Sequence, residues 1–189
     1  MGDNLLDADY SNPKGHFENI DFLKMNEKIL DSVGAKWSKP PSRETIISSN
    51  FSESEIRSFL LTQVKPIWGL KDPRTTLTFD IWKSHLEEIA DVTYVFVWRS
   101  LEESIHSLVQ RHKYDLATAR AILTSYLDNL KCYREQLEKE NKDIVDIDFN
   151  NLLDKPEDFI KGINLRINQK PNHNLDVIKK FLDKQLKHF

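Results

Sequence analysis

The stretch Thr93-Tyr94-Val95-Phe96-Val97-Trp98 decides how this chain is read: six consecutive residues, each β-branched or aromatic, cut off at once by Arg99-Ser100. A continuous run of that kind predicts a strand buried on both faces, as in a parallel sheet. Helical spacing resumes immediately through Leu101, Ile105 and Leu108. Further along, a long helix is predicted over about 115–140, and Asp143-Ile144-Val145-Asp146-Ile147-Asp148-Phe149 supplies a second strand. Helices are then predicted near 155–162 and 173–187. In the other direction, Leu77, Phe79, Ile81, Trp82, Leu86 and Ile89 mark a helix over 75–90, with Trp82 and, later, Tyr126 read as core. Ser52-Glu53-Ser54-Glu55 opens a helix with acids in its first turn, ending before Pro66. Ile20, Leu23, Met25, Ile29, Leu30 and Val33 mark a first helix that Gly34 stops. Residues 35–50, with Pro40-Pro41 and a Ser-rich patch, read as an exposed excursion, and 35–65 as a variable insertion. Strands alternating with helices predict a layered α/β domain with a mostly parallel sheet.

Bulk properties narrow the classes. A length of 189 residues fits one domain, 1–189, and 39% hydrophobic with 30% charged residues is enough for one core. A net charge of −3 gives no global basic field, which argues against nucleic-acid binding but not against a local cation cluster. The single cysteine, Cys132, excludes an internal disulfide and a Cys-rich zinc site, and reads as an inert, half-buried thiol. No apolar run reaches membrane-spanning length, and Met1-Gly2-Asp3-Asn4 is not a signal peptide, so a cytoplasmic location is expected.

In open parallel sheets ligands sit beyond the carboxyl ends of the strands, near the next helix N-terminus. Two corners carry the chemistry for this. At Trp98-Arg99-Ser100, an arginine directly after a strand, with Ser107 eight residues on, offers two donors to one phosphate-sized space. The alternative is an arginine paired with a neighbouring carboxylate and a neutral helix serine, and spacing alone favours it. At Gly69-Leu70-Lys71-Asp72-Pro73-Arg74, Asp72 suits a cap and Pro73 a first turn. Two cations there oppose the helix dipole unless an anion sits nearby, although Asp72 could itself be the partner of Arg74. A third segment, Asn12-Pro13-Lys14-Gly15-His16-Phe17-Glu18, offers a general base, or simply an early helix acid and a surface histidine. His85, His112, His173 and His188 lack ligand-like spacing and read as surface residues. Asp146 and Asp148 suggest a polar sheet end more than a metal pair, so no metal is expected.

Four blocks in order, the three above and Asp148-Phe149-Asn150-Asn151-Leu152-Leu153-Asp154-Lys155-Pro156-Glu157, resemble the sulfotransferase superfamily over roughly residues 12–160. The resemblance implies a three-layer P-loop-like fold and 3′-phosphoadenosine 5′-phosphosulfate (PAPS) as co-substrate. Arg99 and Ser107 would hold its 3′-phosphate, and Lys71 would approach the 5′-phosphosulfate. Arg74 would support the donor or acceptor pocket, Glu18 would be the catalytic carboxylate, and His16 the fallback base. The acceptor, a small molecule or a glycan, would receive the sulfuryl group on a hydroxyl or amine. One part of the pattern is missing. None of the five glycines lies in a loop resembling Gly-x-x-Arg-Ser-Gly-Thr, so the first strand and its phosphate loop are expected to be absent, as in an N-terminally truncated member. Such a loss implies weak or no turnover, and an open sheet edge through which an oligomer or partner chain could pair. The rival readings are a nucleotide-kinase-like P-loop fragment, for which neither a lysine loop nor an acidic strand end for magnesium is visible, and a non-catalytic interaction module.

Overall fold

In the computed structural model, residues 2–9 and 12–182 are described; the far end of the last predicted helix and His188 lie outside them. The protein is a mixed helix-and-strand chain whose two strands form a parallel sheet. It divides into two compact units, one comprising Met1–Val92 with Thr124–Leu130, the other Thr93–Leu123 with Lys131–Phe189.

Unit 1 contains α1 (Ile20–Ser32), α2 (Arg43–Ile47), α3 (Glu53–Gln63) and α4 (Thr75–Ile89). Asn19 caps α1 by accepting from the Asp21 and Phe22 amides, and Ser52 caps α3 by accepting from the Glu55 amide. Gly34 ends α1 in the left-handed region (φ 67°), where its amide donates to Asp31 and the Ala35 amide to Leu30. That pair of bonds is the Schellman arrangement, and a side chain at 34 would oppose it. The core gathers Phe22, Ile29, Leu30, Ile46, Ile56, Leu60, Leu77, Trp82 and Leu86, with Tyr126 packed against it as expected. Phe22 lies edge-on to Phe59 at 4.9 Å and 5.5 Å from Trp82, and stacks on Trp68 at 5.9 Å. Such ring pairs add about 0.5–1.5 kcal/mol each beyond area burial.

Two readings of this half are corrected. The 35–50 stretch is not merely an exposed excursion: it holds the short helix α2, with Ile46 fully buried and Ala35 nearly so. Arg43 ties it to α4 through a two-pronged pair with Asp80, at 3.0 and 2.6 Å. His85 is buried rather than on the surface, since its place on α4 sits beside the core residue Leu86.

Unit 2 contains β1 (Thr93–Trp98), α5 (Leu101–His112), β2 (Asp143–Asp148), α7 (Phe149–Asp154), α8 (Glu157–Arg166) and α9 (Leu175–Phe181). The long α6 (Leu116–Lys139), capped by Asp115, gives turns to both units. β1 and β2 run parallel in register, Thr93 opposite Asp143 through Trp98 opposite Asp148. The strand β1 is not buried on both faces. Tyr94 and Phe96 are covered, while Val95 and Val97 are 44% and 45% exposed, because among the described residues nothing fully covers the second face. Cys132 is exposed on α6 rather than half-buried, one residue out of phase with buried Tyr133. The helix α7, absent from the sequence reading, begins directly after β2, where Asp148 accepts from the Asn150 and Asn151 amides. No helix among the described residues is long and apolar enough to cross a membrane.

Candidate functional site

Unit 1 brings together four of the residues singled out in the sequence. Glu18 sits between the 12–17 turn and the Asn19 cap; its carbonyl accepts from the Leu6 amide, and Ile20 donates to Asn4. Phe17, just before it, takes a left-handed backbone (φ 53°). For a bulky side chain this costs about 1–3 kcal/mol, a strain that clusters at functional sites. The Glu18 side chain is 8% exposed and accepts from Lys71 Nζ at 2.7 Å, a residue 53 positions away in the chain. Lys71 also donates to the His16 carbonyl at 3.0 Å. The second Glu18 oxygen lies 3.6 Å from Arg74 Nη1. The His16 ring instead meets Asp9, Nε2 to Oδ2 at 3.1 Å, so His16 joins the cluster through its backbone.

Arg74 is held in turn by Asp72, whose carboxylate is fully buried. Asp72 Oδ1 accepts from the Arg74 amide at 2.9 Å and from Nη1 at 3.1 Å; Arg74 Nε faces Glu27 at 3.6 Å. The helix α4 starts at Thr75, so Asp72 closes the turn that leads into it rather than capping its first residue. Beneath Asp72 lies Asn26, whose amide is fully buried and fully used. Its Nδ2 donates to Asp72 Oδ2 at 3.0 Å and to Thr75 Oγ1 at 3.2 Å. Its Oδ1 accepts from Thr78 Oγ1 at 2.6 Å and Trp82 Nε1 at 2.8 Å. Two donors and two lone pairs are all an amide has. Burial pushes the Tyr126 phenol well above its ordinary range, against a downward pull from Arg74 and with a further push from Asp72. Its hydroxyl stays protonated and donates to the Trp37 carbonyl at 3.1 Å. Two cations, Lys71 and Arg74, thus meet three carboxylates, Glu18, Asp72 and Glu27.

The other two residues lie in unit 2. Arg99 follows the last residue of β1, and its Nε faces Glu103 Oε2, one turn into α5, at 3.4 Å. Its guanidinium also lies over the Phe149 ring, 5.0 Å from the centroid. The register explains this contact, since Trp98 opposes Asp148 and the next residues on each strand are Arg99 and Phe149. Ser107 is half-buried on α5, four residues past Glu103 and so on the same helix face. Glu103 thus competes with an anion for the Arg99 guanidinium through Nε, in a partly exposed pair of modest strength. Asp146 is taken by Trp98 Nε1 at 2.7 Å and by Arg134 at 3.0 Å, and Asp148 by the α7 cap. No group of three or more His, Cys, Asp or Glu among the described residues is arranged to hold a metal.

Phe149 and Asn26 border the candidate site without having been singled out in the sequence, whereas the Arg99–Glu103 pair is the neighbouring-carboxylate alternative that spacing favoured. Asn26 had a signal, a polar residue four places from both Phe22 and Leu30 on the apolar face of a helix. No family model matches this chain, nor does any curated protein or solved structure.

Proposed function

We propose that this chain is a sulfotransferase-like protein with a P-loop-like fold, acting on PAPS and a hydroxyl or amine acceptor. The observation that carries the reading is the pairing of buried Glu18 with Lys71 and, more distantly, Arg74. A sheltered carboxylate beside an exposed ammonium is what a base-assisted transfer of an anionic group requires. In the proposed step an acceptor oxygen attacks sulfur and the bond from sulfur to the 5′-phosphate oxygen breaks. Glu18 takes the acceptor proton, leaving a sulfate ester and adenosine 3′,5′-bisphosphate. Lys71 neutralises charge building on the phosphate oxygen, and by the resemblance Arg99 with Ser107 is the pair that would bind a 3′-phosphate. Catalysis of this kind rests on positioning and charge, as in phosphoryl transfer. The Arg99 corner, at the carboxyl end of a parallel strand, supports the nucleotide half. With no glycine-rich phosphate loop in its 189 residues, the chain binds nucleotide chiefly through the 3′-phosphate and turns over weakly.

The test is thermal unfolding with adenosine 3′,5′-bisphosphate. The proposal expects an upward shift that is lost in Arg99→Ala and kept in Glu18→Gln; no shift in the unaltered protein refutes it. A second reading, a non-catalytic interaction module, is favoured by the exposed Val95 and Val97 on β1. It expects stable oligomers and no nucleotide shift.

A further inference from the structure

Within unit 1 lies a hollow of about 310 Å³, lined by residues from 2–4, 19–22 and 62–69. Its wall includes Asn19, next in the chain to Glu18, and Gly69, two residues before Lys71. These two wall residues are thus neighbours in the chain of the carboxylate–ammonium pair. One side is the indole of Trp68, held by stacking on buried Phe22 at 5.9 Å with the rings inclined by 24°. That contact fixes the ring, so the indole is a rigid apolar plate rather than a mobile side chain. Around it stand short polar groups. Asp21 accepts from Asn4 Nδ2 through Oδ1 at 3.0 Å, which leaves its other oxygen as an acceptor. Gln63 gives one amide N–H to Thr62 Oγ1 at 3.1 Å, which leaves the other N–H and the carbonyl oxygen.

We infer that this hollow takes a pyranose ring, and that the acceptor of the proposed transfer is a neutral sugar. A plate of aromatic carbon matches the CH-rich face of such a ring, and the acceptors and donors on the wall match its hydroxyls. The volume lies at the low end of the range of about 300–1,000 Å³ usual for ligand sites, which suits one ring rather than a nucleotide. An anionic acceptor is disfavoured because two carboxylates, Asp3 and Asp21, outnumber the single cation, Lys65, on the wall. Sugar binding here stands on the hollow alone, whereas its role as acceptor rests on the sulfuryl-transfer reading above.

The experiment is saturation-transfer NMR with methyl β-D-glucopyranoside as probe and open-chain sorbitol as comparison, on the full chain. The glucoside shows transfer to its ring protons and sorbitol much less. Trp68→Ala weakens the glucoside signal by about threefold to tenfold, the loss set by one aromatic contact. Because Trp68 packs on Phe22, a second variant guards against misfolding. Thr62→Trp, at an exposed position, fills the hollow and abolishes the signal without entering the core. Equal signals from glucoside and sorbitol, or a signal that survives Thr62→Trp, overturn the inference. The thermal shift with adenosine 3′,5′-bisphosphate is measured on the same samples. A nucleotide shift without glucoside binding sinks the sugar site alone. Glucoside binding without a nucleotide shift sinks the transferase reading and leaves a sugar-binding hollow.

Discussion

Replacing Asn26 with aspartate changes one nitrogen for one oxygen, and the structure says where that oxygen would sit. The amide nitrogen of Asn26 is 3.0 Å from Asp72 Oδ2, so Asn26→Asp sets two carboxylates face to face in a buried place. At an effective dielectric of about 20, two charges 3.0 Å apart repel by about 5 kcal/mol. That is comparable with the whole stability of a small domain, about 5–15 kcal/mol. The pair escapes by binding a proton in the folded state, as close carboxylates do. The sign follows from proton counting. The folded variant then binds more protons than the unfolded chain, so its stability falls as pH rises through the folded midpoint of the pair. It recovers on acidification down to the ordinary carboxylate range near pH 4, by about 1.4 kcal/mol per pH unit for one proton. Urea unfolding followed by tryptophan fluorescence, compared with the parent at each pH from about 7 to about 5, measures it. The expected penalty is several kcal/mol at neutral pH and shrinks toward pH 5. Adding Asp72→Asn to the variant swaps the charge across the contact, keeps an oxygen for Arg74, and restores more than half the loss. A penalty below about 1 kcal/mol that does not change with pH would refute the Asn26–Asp72 contact, since a lost buried partner alone costs about 1–3 kcal/mol.

Trp82→Phe keeps the ring in the core but removes the donor to Asn26 Oδ1, and should cost about 1–3 kcal/mol in urea unfolding; no loss would show the amide unengaged. On β1, Val97→Thr should stay within about 0.5 kcal/mol of the parent, while Phe96→Thr, on the covered face, should cost at least about 2 kcal/mol; equal effects would contradict the one-sided burial. The two-pronged hydrogen bond from Arg120 holds the Glu102 carboxyl below its ordinary range. Arg120→Ala should therefore raise the Glu102 midpoint toward 4.5 in a carboxyl NMR titration, and an unmoved midpoint would refute the pairing.

Patterning carried much of the fold. The β1 run, the periodic α4 and the capped α6 each repeat one signal over many residues, and each lies where the sequence sets it. The helix α2 escaped because five residues make little more than one turn, too few to show a period, and its core residue, Ile46, is followed by an Ile47 that is exposed. The exposure of Val95 and Val97 was equally hidden: a run of apolar residues reports β-propensity, while coverage depends on what packs against each face. Motif order singled out positions 16, 18, 71, 74 and 99, and the fold brings the first four together. Two of the counter-charges were legible as well, the carboxylate next to Arg99 and Asp72 beside Arg74, whereas Glu27 reaches Arg74 only through the fold.

The two rims of the small sheet are chemically unequal. Along β2 three aspartates fall within six residues, whereas β1 has no charge, proline or glycine in six. Charged strands discourage added strands, and uncharged ones of high β-propensity invite them. A second copy meeting the first along β1 would therefore put its own aspartate-bearing strand on the outside. The resulting four-stranded ribbon would present acid at both borders, and assembly would end at a pair instead of running on into a fibre.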